Sequence, residues 1–261
     1  MGTPLKNPPV YLTLAQARFN PLLKLADFLP SIQESFRLAG YPDFDRQQLV
    51  SIQLSTLGVN PPAPTPIQQE RFQFGNVEKT HTFILDAQSV TLQSTNYGQF
   101  ESFSKCFLQG LEIVDSAVKL AFTERIGLRY LDRVMPQDGD TIEQYLVEQV
   151  HGLASRLQGR SVYSYSEAMN EVGNIKLLSR VAIQNGPLAF PPDLQPGSMR
   201  VGEQFVSYTG ISAILDNDGF VEVREPFSLN SVIEHLDAIH KVIGAAFKTA
   251  ATPHAFSVWD K

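Results

Sequence analysis

A chain of 261 residues with 43% hydrophobic and 18% charged side chains carries enough apolar material for a full core, which excludes intrinsic disorder. Its formal charge of −6 disfavours nucleic acid as a partner, because a non-specific binder needs a cationic surface to displace condensed counterions. The one cysteine, Cys106, rules out a disulfide framework; set in a run with helical spacing, it reads as a small core hydrophobe.

Residues 1–7 read as an N-terminal arm without a charged n-region, an apolar h-region or a cleavage site, so a cytoplasmic location is expected. No stretch approaches the roughly 18 consecutive apolar residues of a membrane-spanning helix, and no membrane partner is expected. A strand is predicted from about Pro9 to Phe19, with Val10, Leu12 and Leu14 on one face and Tyr11, Thr13 and Ala15 on the other. A short helix follows, with Pro30 near its first turn, Ile32 and Phe36 inward and Gly40 just past its end. Leu49–Leu57 reads as a long strand. Asn60–Pro66 reads as an exposed connection, since its prolines cannot donate to a ladder. Further strands are expected near Arg71–Phe74, Thr80–Leu85 and Val90–Thr95. Phe100, Phe103, Phe107, Leu111, Val114 and Val118 then recur at steps of three and four, the stripe of a long amphipathic helix.

The same order restarts at Phe122–Val134. Asp140 and Glu143 form a predicted capping box for a helix with Ile142, Tyr145, Leu146, Val150, Leu153 and Leu157 inward. A strand is expected at Ile175–Ile183, then a second proline-rich connection over Gly186–Gly197. Strands at Phe205–Leu215 and Phe220–Arg224 are joined by Asp216-Asn217-Asp218-Gly219, which reads as a hairpin turn. Ser231 and Glu234 cap a last helix with Val232, Leu236, Ile239, Ile243 and Phe247 inward. The proline-rich connections, hairpins and closing helices are offset by about 130 residues between halves. The opening strands are offset by less, which marks Ser161–Asn174 as an insertion.

The expected fold is therefore α+β: two diverged strand–helix–antiparallel sheet–helix repeats, 8–121 and 122–261, forming one curved, helix-backed sheet. Such a sheet resembles the saddle of the TATA-box-binding protein in architecture alone; a helix-grip sheet around a cavity is the competing arrangement.

Little in the chain carries recognisable chemistry. His81, His151, His235, His240 and His254 form no metal-ligand spacing, so neither metal nor cofactor is expected. Asp216–Gly219 starts like a calcium loop, but Phe227 stands where the bidentate acid belongs. Ser102-Phe-Ser-Lys105 is a chance-level match inside a helix, and no nucleophile elbow or glycine-rich phosphate loop is present.

The strand Glu124–Arg133 stands out. With period two, Ile126, Leu128 and Tyr130 share one face, while Arg125, Gly127, Arg129, Leu131 and Arg133 share the other. Planar guanidinium forks ranged along one face, about 13 Å apart, suit carboxylates or phosphates. The alternative is a set of internal bridges to acids on neighbouring strands, for example Glu222 or Asp86. We expect internal pairing for Arg125 and Arg133, and exposure toward a ligand or partner for Arg129, with Gly127 leaving room for close approach.

In Arg125-Ile-Gly-Leu-Arg-Tyr-Leu-Asp-Arg133 the chain resembles a sporadically distributed, uncharacterised bacterial protein family marked by a central R-I/V-G-L-R-Y-x-N/D-R strand. Arg18-Phe19-Asn-Pro21 and Phe247 are similar too, while the family's aromatic helix entry stands here as Tyr97–Phe103, without its usual tryptophan. The resemblance implies a bacterial origin and a shared fold, and supplies no activity. An accessory role in a conflict or defence system would suit such a distribution.

The expected function is a non-catalytic binding or adaptor protein that recognises a protein partner or a small anionic ligand on its sheet, through Arg125, Gly127, Arg129, Tyr130 and Arg133. An enzyme or ligand-binding domain with a polar cavity between sheet and helix is the alternative, with Arg129, Tyr130, His81 and Glu101 as its polar groups. A nucleic-acid surface would instead need Arg125, Arg129, Arg133, Arg180, Arg200 and Arg224 to converge.

Overall fold

Ten antiparallel strands form one sheet among the described residues, which in this computed structural model are 5–53, 65–159, 161–194 and 197–261. In chain order the strands are β1 (Val10–Phe19), β2 (Asp43–Gln53), β3 (Thr65–Gly75), β4 (His81–Leu85), β5 (Ser89–Ser94), β6 (Phe122–Val134), β7 (Tyr163–Val172), β8 (Ile175–Asn185), β9 (Ile211–Val221) and β10 (Glu225–Pro226). They lie side by side as β2-β3-β4-β5-β1-β6-β9-β8-β7, with β10 against the start of β6. The helices are α1 (Leu25–Leu38), α2 (Phe100–Val118), α3 (Ile142–Tyr145), α4 (Glu203–Ser207), α5 (Leu229–Ala250) and α6 (Pro253–Trp259).

One face of the sheet carries the main helices. The apolar stripe of α2 buries Phe103, Phe107, Leu111 and Val114, while α5 buries Val232, Leu236, Ile239 and Ile243. Both press on Ala15, Ala17, Leu92, Ile126 and Leu128 of the central strands, which supply the matching apolar face. A second core beside it joins Val134, Leu215 and Val181 to Tyr145 of α3 and Trp259 of α6. Val118 is only half-buried, because α2 ends there in the left-handed cap of Lys119.

Residues 186–194 and 197–208, which include α4, lie across part of the opposite face. Phe205 packs with Tyr11, Leu12, Leu14, Leu131 and Ile214, and the Tyr11 hydroxyl donates to the Ala189 carbonyl at 3.0 Å. Leu12 and Tyr11 can both be buried because a register shift between Val10 and Leu12 breaks the simple alternation of β1.

Several expectations are corrected. Thr65 and Pro66 belong to β3, where Pro66 sits opposite Ile52; β4 reaches only Phe72–Gly75 of β3, so the second side of Pro66 makes no demand on its missing donor. Residues 54–64, with the remaining prolines and the end of the predicted strand, lie outside the described residues. The capping box is Thr141 with Gln144, and the helix stops at Tyr145. A short 3-10 segment, 148–156, follows, interrupted at Gly152 with φ +63°, and Leu153 and Leu157 are exposed. The predicted insertion at 161–174 is the edge strand β7, hairpinned to β8 through Gly173 with φ +62°. Phe205 is in α4 and not in a strand. Ser228, not Ser231, caps α5, its side chain accepting from the Ser231 amide.

The largest correction concerns Asp216–Gly219. It forms no turn: β9 runs straight through it, paired with β6 on one side and β8 on the other. Gly219 faces α5, where a Cβ would sit 2.6 Å from Ile239 Cγ2 and 3.1 Å from Ile243 Cδ1. The glycine is present because the helix lies on the backbone, a close-approach role rather than a turn role. Gly219→Ala should therefore cost about 1–3 kcal/mol in urea denaturation by overpacking the helix; a neutral substitution would place this residue at a solvated hairpin tip.

Candidate functional site

Strand β6 keeps the predicted alternation, and its two faces have different chemistry. On the face away from the main helices, Arg129 is 6% exposed. Its Nε and Nη2 donate to the two carboxylate oxygens of Asp216 at 2.6 and 2.7 Å, and Nη1 donates to Asp193 of the covering segment at 2.5 Å. Asp216 also accepts from Arg180 at 3.0 Å, and Arg180 donates to Glu167 at 2.9 Å. One network thus crosses β6, β9, β8 and β7. Its carboxylates hold Arg129 above the ordinary arginine range despite burial, and Arg129 holds Asp193 below the usual carboxylate range.

The expected exposure of Arg129 is therefore corrected, because its fork is occupied from two sides. The partners are Asp216 and Asp193; Glu222 bonds Lys176 and Asp86 accepts from Ser89. Arg133 is 1% exposed and has no carboxylate partner among the described residues. It donates to the Phe205, Gly186 and Tyr208 carbonyls and to Ser212, stitching the covering segment to the sheet. Arg125 leans back over Gly127, stacks on the Phe220 ring at 4.2 Å and donates to Gln16 at 3.1 Å. A Cβ at Gly127 would be 3.0 Å from its Nη1, so the room left by this glycine is filled by Arg125 itself. The Asp218 carboxylate is 3.9 Å away, a loose pairing, and burial lowers the Arg125 pKa.

On the helix-covered face, a polar row interrupts the apolar surface. The register aligns His81, Ser94, Thr13, Tyr130, Asn217 and Ser179 as successive neighbours from β4 to β8. Asn217 accepts from Ser179 at 2.8 Å, and His81 Nε2 lies 3.2 Å from the Ser94 hydroxyl. The Thr13 hydroxyl, fully buried, has no partner among the described residues.

Tyr130 is the centre of this row. Its hydroxyl lies 2.9 Å from that of Tyr97 and 3.0 Å from His240 Nδ1 of α5. His240 stacks flat on Phe100 at the start of α2, with centroids 4.1 Å apart. Burial keeps the imidazole below its ordinary pKa and both phenols above theirs, so the ring is neutral and the phenols protonated near neutral pH. Tyr97, Tyr130 and the imidazole thus form one hydrogen-bonded chain of neutral groups.

Tyr97, Glu101 and His240 line a cleft of about 560 Å³ between the start of α2 and the second half of α5, with Leu5, Pro8 and Phe256 also in its lining. Of the polar groups expected in a cavity, Glu101 lines the cleft, and Tyr130 stands behind its wall, bonded to Tyr97 and His240. His81 ends the polar row, and Arg129 lies on the other face of the sheet.

Asp132, the next residue on the Tyr130 face, is 6% exposed, with no hydrogen bond or ion pair to its side chain among the described residues. Burial, with a smaller contribution from the Asp216 charge, pushes its pKa up to about 7. Its charge reaches the hydroxyls of Tyr97 and Tyr130 and contributes to raising both. Extending the alternation Ile126, Leu128, Tyr130 by one step would have placed this carboxylate on the core face. Tyr97 and His240 carry no comparable signal, since only the tertiary fold brings them to Tyr130.

Among the described residues no group of three His, Cys, Asp or Glu side chains is placed to share a metal ion, and no helix is long and apolar enough to cross a membrane. Protein-family models and curated proteins yield no match to this chain.

Replacing Arg129 with Ala should destabilise the protein by about 3–5 kcal/mol, because buried Asp216 loses its two-pronged partner. Arg129→Lys should recover less than half of that, since an ammonium cannot span both oxygens; full recovery in thermal denaturation would show that charge alone matters. Asp132 gives a second expectation. Its pKa is raised from 3.8 to about 7 in the folded state. The stability that its protonated form supports is therefore complete below about pH 4 and is lost as pH rises toward 7, on the order of 1.4 kcal/mol per pH unit. Asp132→Asn should match the parent near pH 4 and exceed it in stability near pH 8. A gain independent of pH would contradict the burial of this carboxyl.

Proposed function

We propose that this chain is a non-catalytic ligand-binding protein whose site is the cleft between α2 and α5. The observation that carries this reading is the Tyr97–Tyr130–His240 chain, convergent polar groups at a cleft of about 560 Å³ whose lining includes Phe100, Phe247 and Phe256. Burial holds both phenols of the chain protonated, which leaves no activated nucleophile beside His240 and favours binding over catalysis.

The finer architecture supports the same location. We infer that residues 8–121 and 122–261 are diverged copies of one unit, because β1-β5-β4-β3-β2 runs outward from the sheet centre as β6-β9-β8-β7 does, and each run is closed by a long helix. Strands β1 and β6 then meet at a pseudo-symmetric centre, as in the saddle of the TATA-box-binding protein, and the cleft lies where the closing helices α2 and α5 adjoin. The central strand's likeness to the bacterial family supports a bacterial accessory role, including one in defence.

A second reading, a protein partner or small anion on the open face, is favoured by one observation: Arg18 and Arg125 lie directly opposite on β1 and β6, a like-charge pairing that an anion would relieve.

Gly244 lines the cleft, and a Cβ there meets no atom within 4 Å. Gly244→Trp should therefore fill the site without disturbing the fold. In NMR titrations with a library of small aromatic compounds, we expect shifts at Tyr97 and His240 that Gly244→Trp abolishes at unchanged thermal stability. Shifts confined to Gln16, Arg18 and Arg125 would overturn the cleft in favour of the open face.

A further inference from the structure

The edge of the sheet at β7 is built unlike a protected edge. Exposed edges are ordinarily blunted by lysine, proline, a bulge or a very short strand. The opposite edge, β2, carries Asp43, Asp45 and Arg46. Strand β7 runs over Tyr163–Val172 without Lys or Pro and pairs with β8 in one unbroken register. It ends the strand order, so its outer side has no partner among the described residues. Half of the exposed large hydrophobic side chains of the described residues lie between 153 and 172, among them Leu153, Val162, Tyr163 and Met169. Such a concentration along an open edge marks an interaction surface.

The hairpin decides which groups this edge offers. Val172 and Ile175 flank a two-residue turn, which makes them a hydrogen-bonded pair, so the even-numbered residues of β7 direct their backbone groups to β8. The N–H and C=O groups of Tyr163, Tyr165, Glu167, Met169 and Glu171 therefore point outward. Their side chains share the open face of the sheet, where Glu167 accepts from Arg180 at 2.9 Å. On the helix side, Ser164 and Ser166 donate to the His151 and Val150 carbonyls at 2.7 and 3.1 Å, which brings exposed Leu153 beside the edge.

A second copy of the same strand completes these groups. Antiparallel pairing about a two-fold axis normal to the sheet keeps like faces together, so odd residues oppose odd ones and even oppose even. With the axis at Glu167, that carboxylate opposes its own copy; with the axis at Met169, Glu167 opposes Glu171 of the second copy. With the axis at Ala168, Glu167 opposes Met169, Glu171 opposes Tyr165 and Val172 opposes Ser164. Like charges directly opposite one another are destabilising, and only the last of these three registers avoids them. We propose that the chain forms a two-fold homodimer in which Ser164–Val172 of two copies pair antiparallel about Ala168, extending the sheet across both. No residue of 148–172 lines the cleft between α2 and α5, so the dimer interface and the cleft are separate surfaces.

Sedimentation velocity of the chain should show a dimer at micromolar concentrations. Met169→Glu sets a carboxylate opposite Glu167 of the second copy, twice per dimer, and should weaken association about tenfold or more. Met169→Lys, opposite the same carboxylate, should keep association as tight or tighten it. Met169 is exposed, so neither change disturbs the fold, which the circular dichroism of each variant checks. Ala168→Cys should give a disulfide-linked dimer on mild oxidation, because the two Cα atoms across the axis stand about 4.5 Å apart. The parent, whose Cys106 lies on α2, should not cross-link. A monomer at every concentration would overturn the dimer. A dimer indifferent to Met169→Glu would place the contact elsewhere, and one without the cross-link at position 168 would overturn the pairing about Ala168.

Discussion

The two-pronged contact between Arg129 and Asp216 sets the terms for the rest of the molecule. It joins β6 to β9 on the face away from the main helices, at 2.6 and 2.7 Å, and both partners are nearly fully buried. A fork of this kind tolerates little sliding, because a shift of one residue turns every side chain of a strand to the opposite face. With the register fixed, Leu128 and Ile126 meet the helices, Arg133 reaches the carbonyls of the covering segment, and Tyr130 with Asp132 lies on the helix side. Asp193 extends the constraint to the covering segment itself.

The two faces of β6 then divide the work. The arginine face stabilises: its guanidinium donors are taken up by carboxylates, carbonyls, a hydroxyl and a glutamine amide. The opposite face carries the unresolved polarity, a row of hydroxyls, an amide and an imidazole between two apolar cores, and beside it a carboxyl with a pKa of about 7. Buried polar groups with incomplete partners lower stability, and their concentration beside a cleft is what a ligand site requires.

Much of this was legible in the chain, element by element. The alternation over Phe122–Val134 placed β6 and sorted its residues by face, and the helical stripe over Phe100–Val114 placed the buried side of α2. The Asp-Asn-Asp-Gly segment misled because its local preference for a turn is real and was overridden by tertiary partners: Asp216 and Asp218 face arginines of β6 and β8, and Gly219 admits α5. Strand β7 was missed because an exposed edge strand with Ser, Glu and Asn along it lacks the apolar alternation that marks a half-buried one. The helix predicted past Tyr145 had the right spacing, but Gly152 broke it and Leu146 bridged to Ala251 instead. A cavity between sheet and helix was among the expectations, but its walls were illegible, since Tyr97, Tyr130 and His240 are brought together only by the packing of α5 on the sheet.

The claim that one buried ion pair fixes the register of β6 is tested most directly by a double-mutant cycle on Arg129→Met and Asp216→Leu, read as unfolding free energy. Each single change should destabilise strongly by leaving its partner buried and unmatched, while the double change should recover a large part of the loss, with a coupling of about 2 kcal/mol or more. Strictly additive losses would show that the two residues act independently and that the register of β6 is held by other contacts.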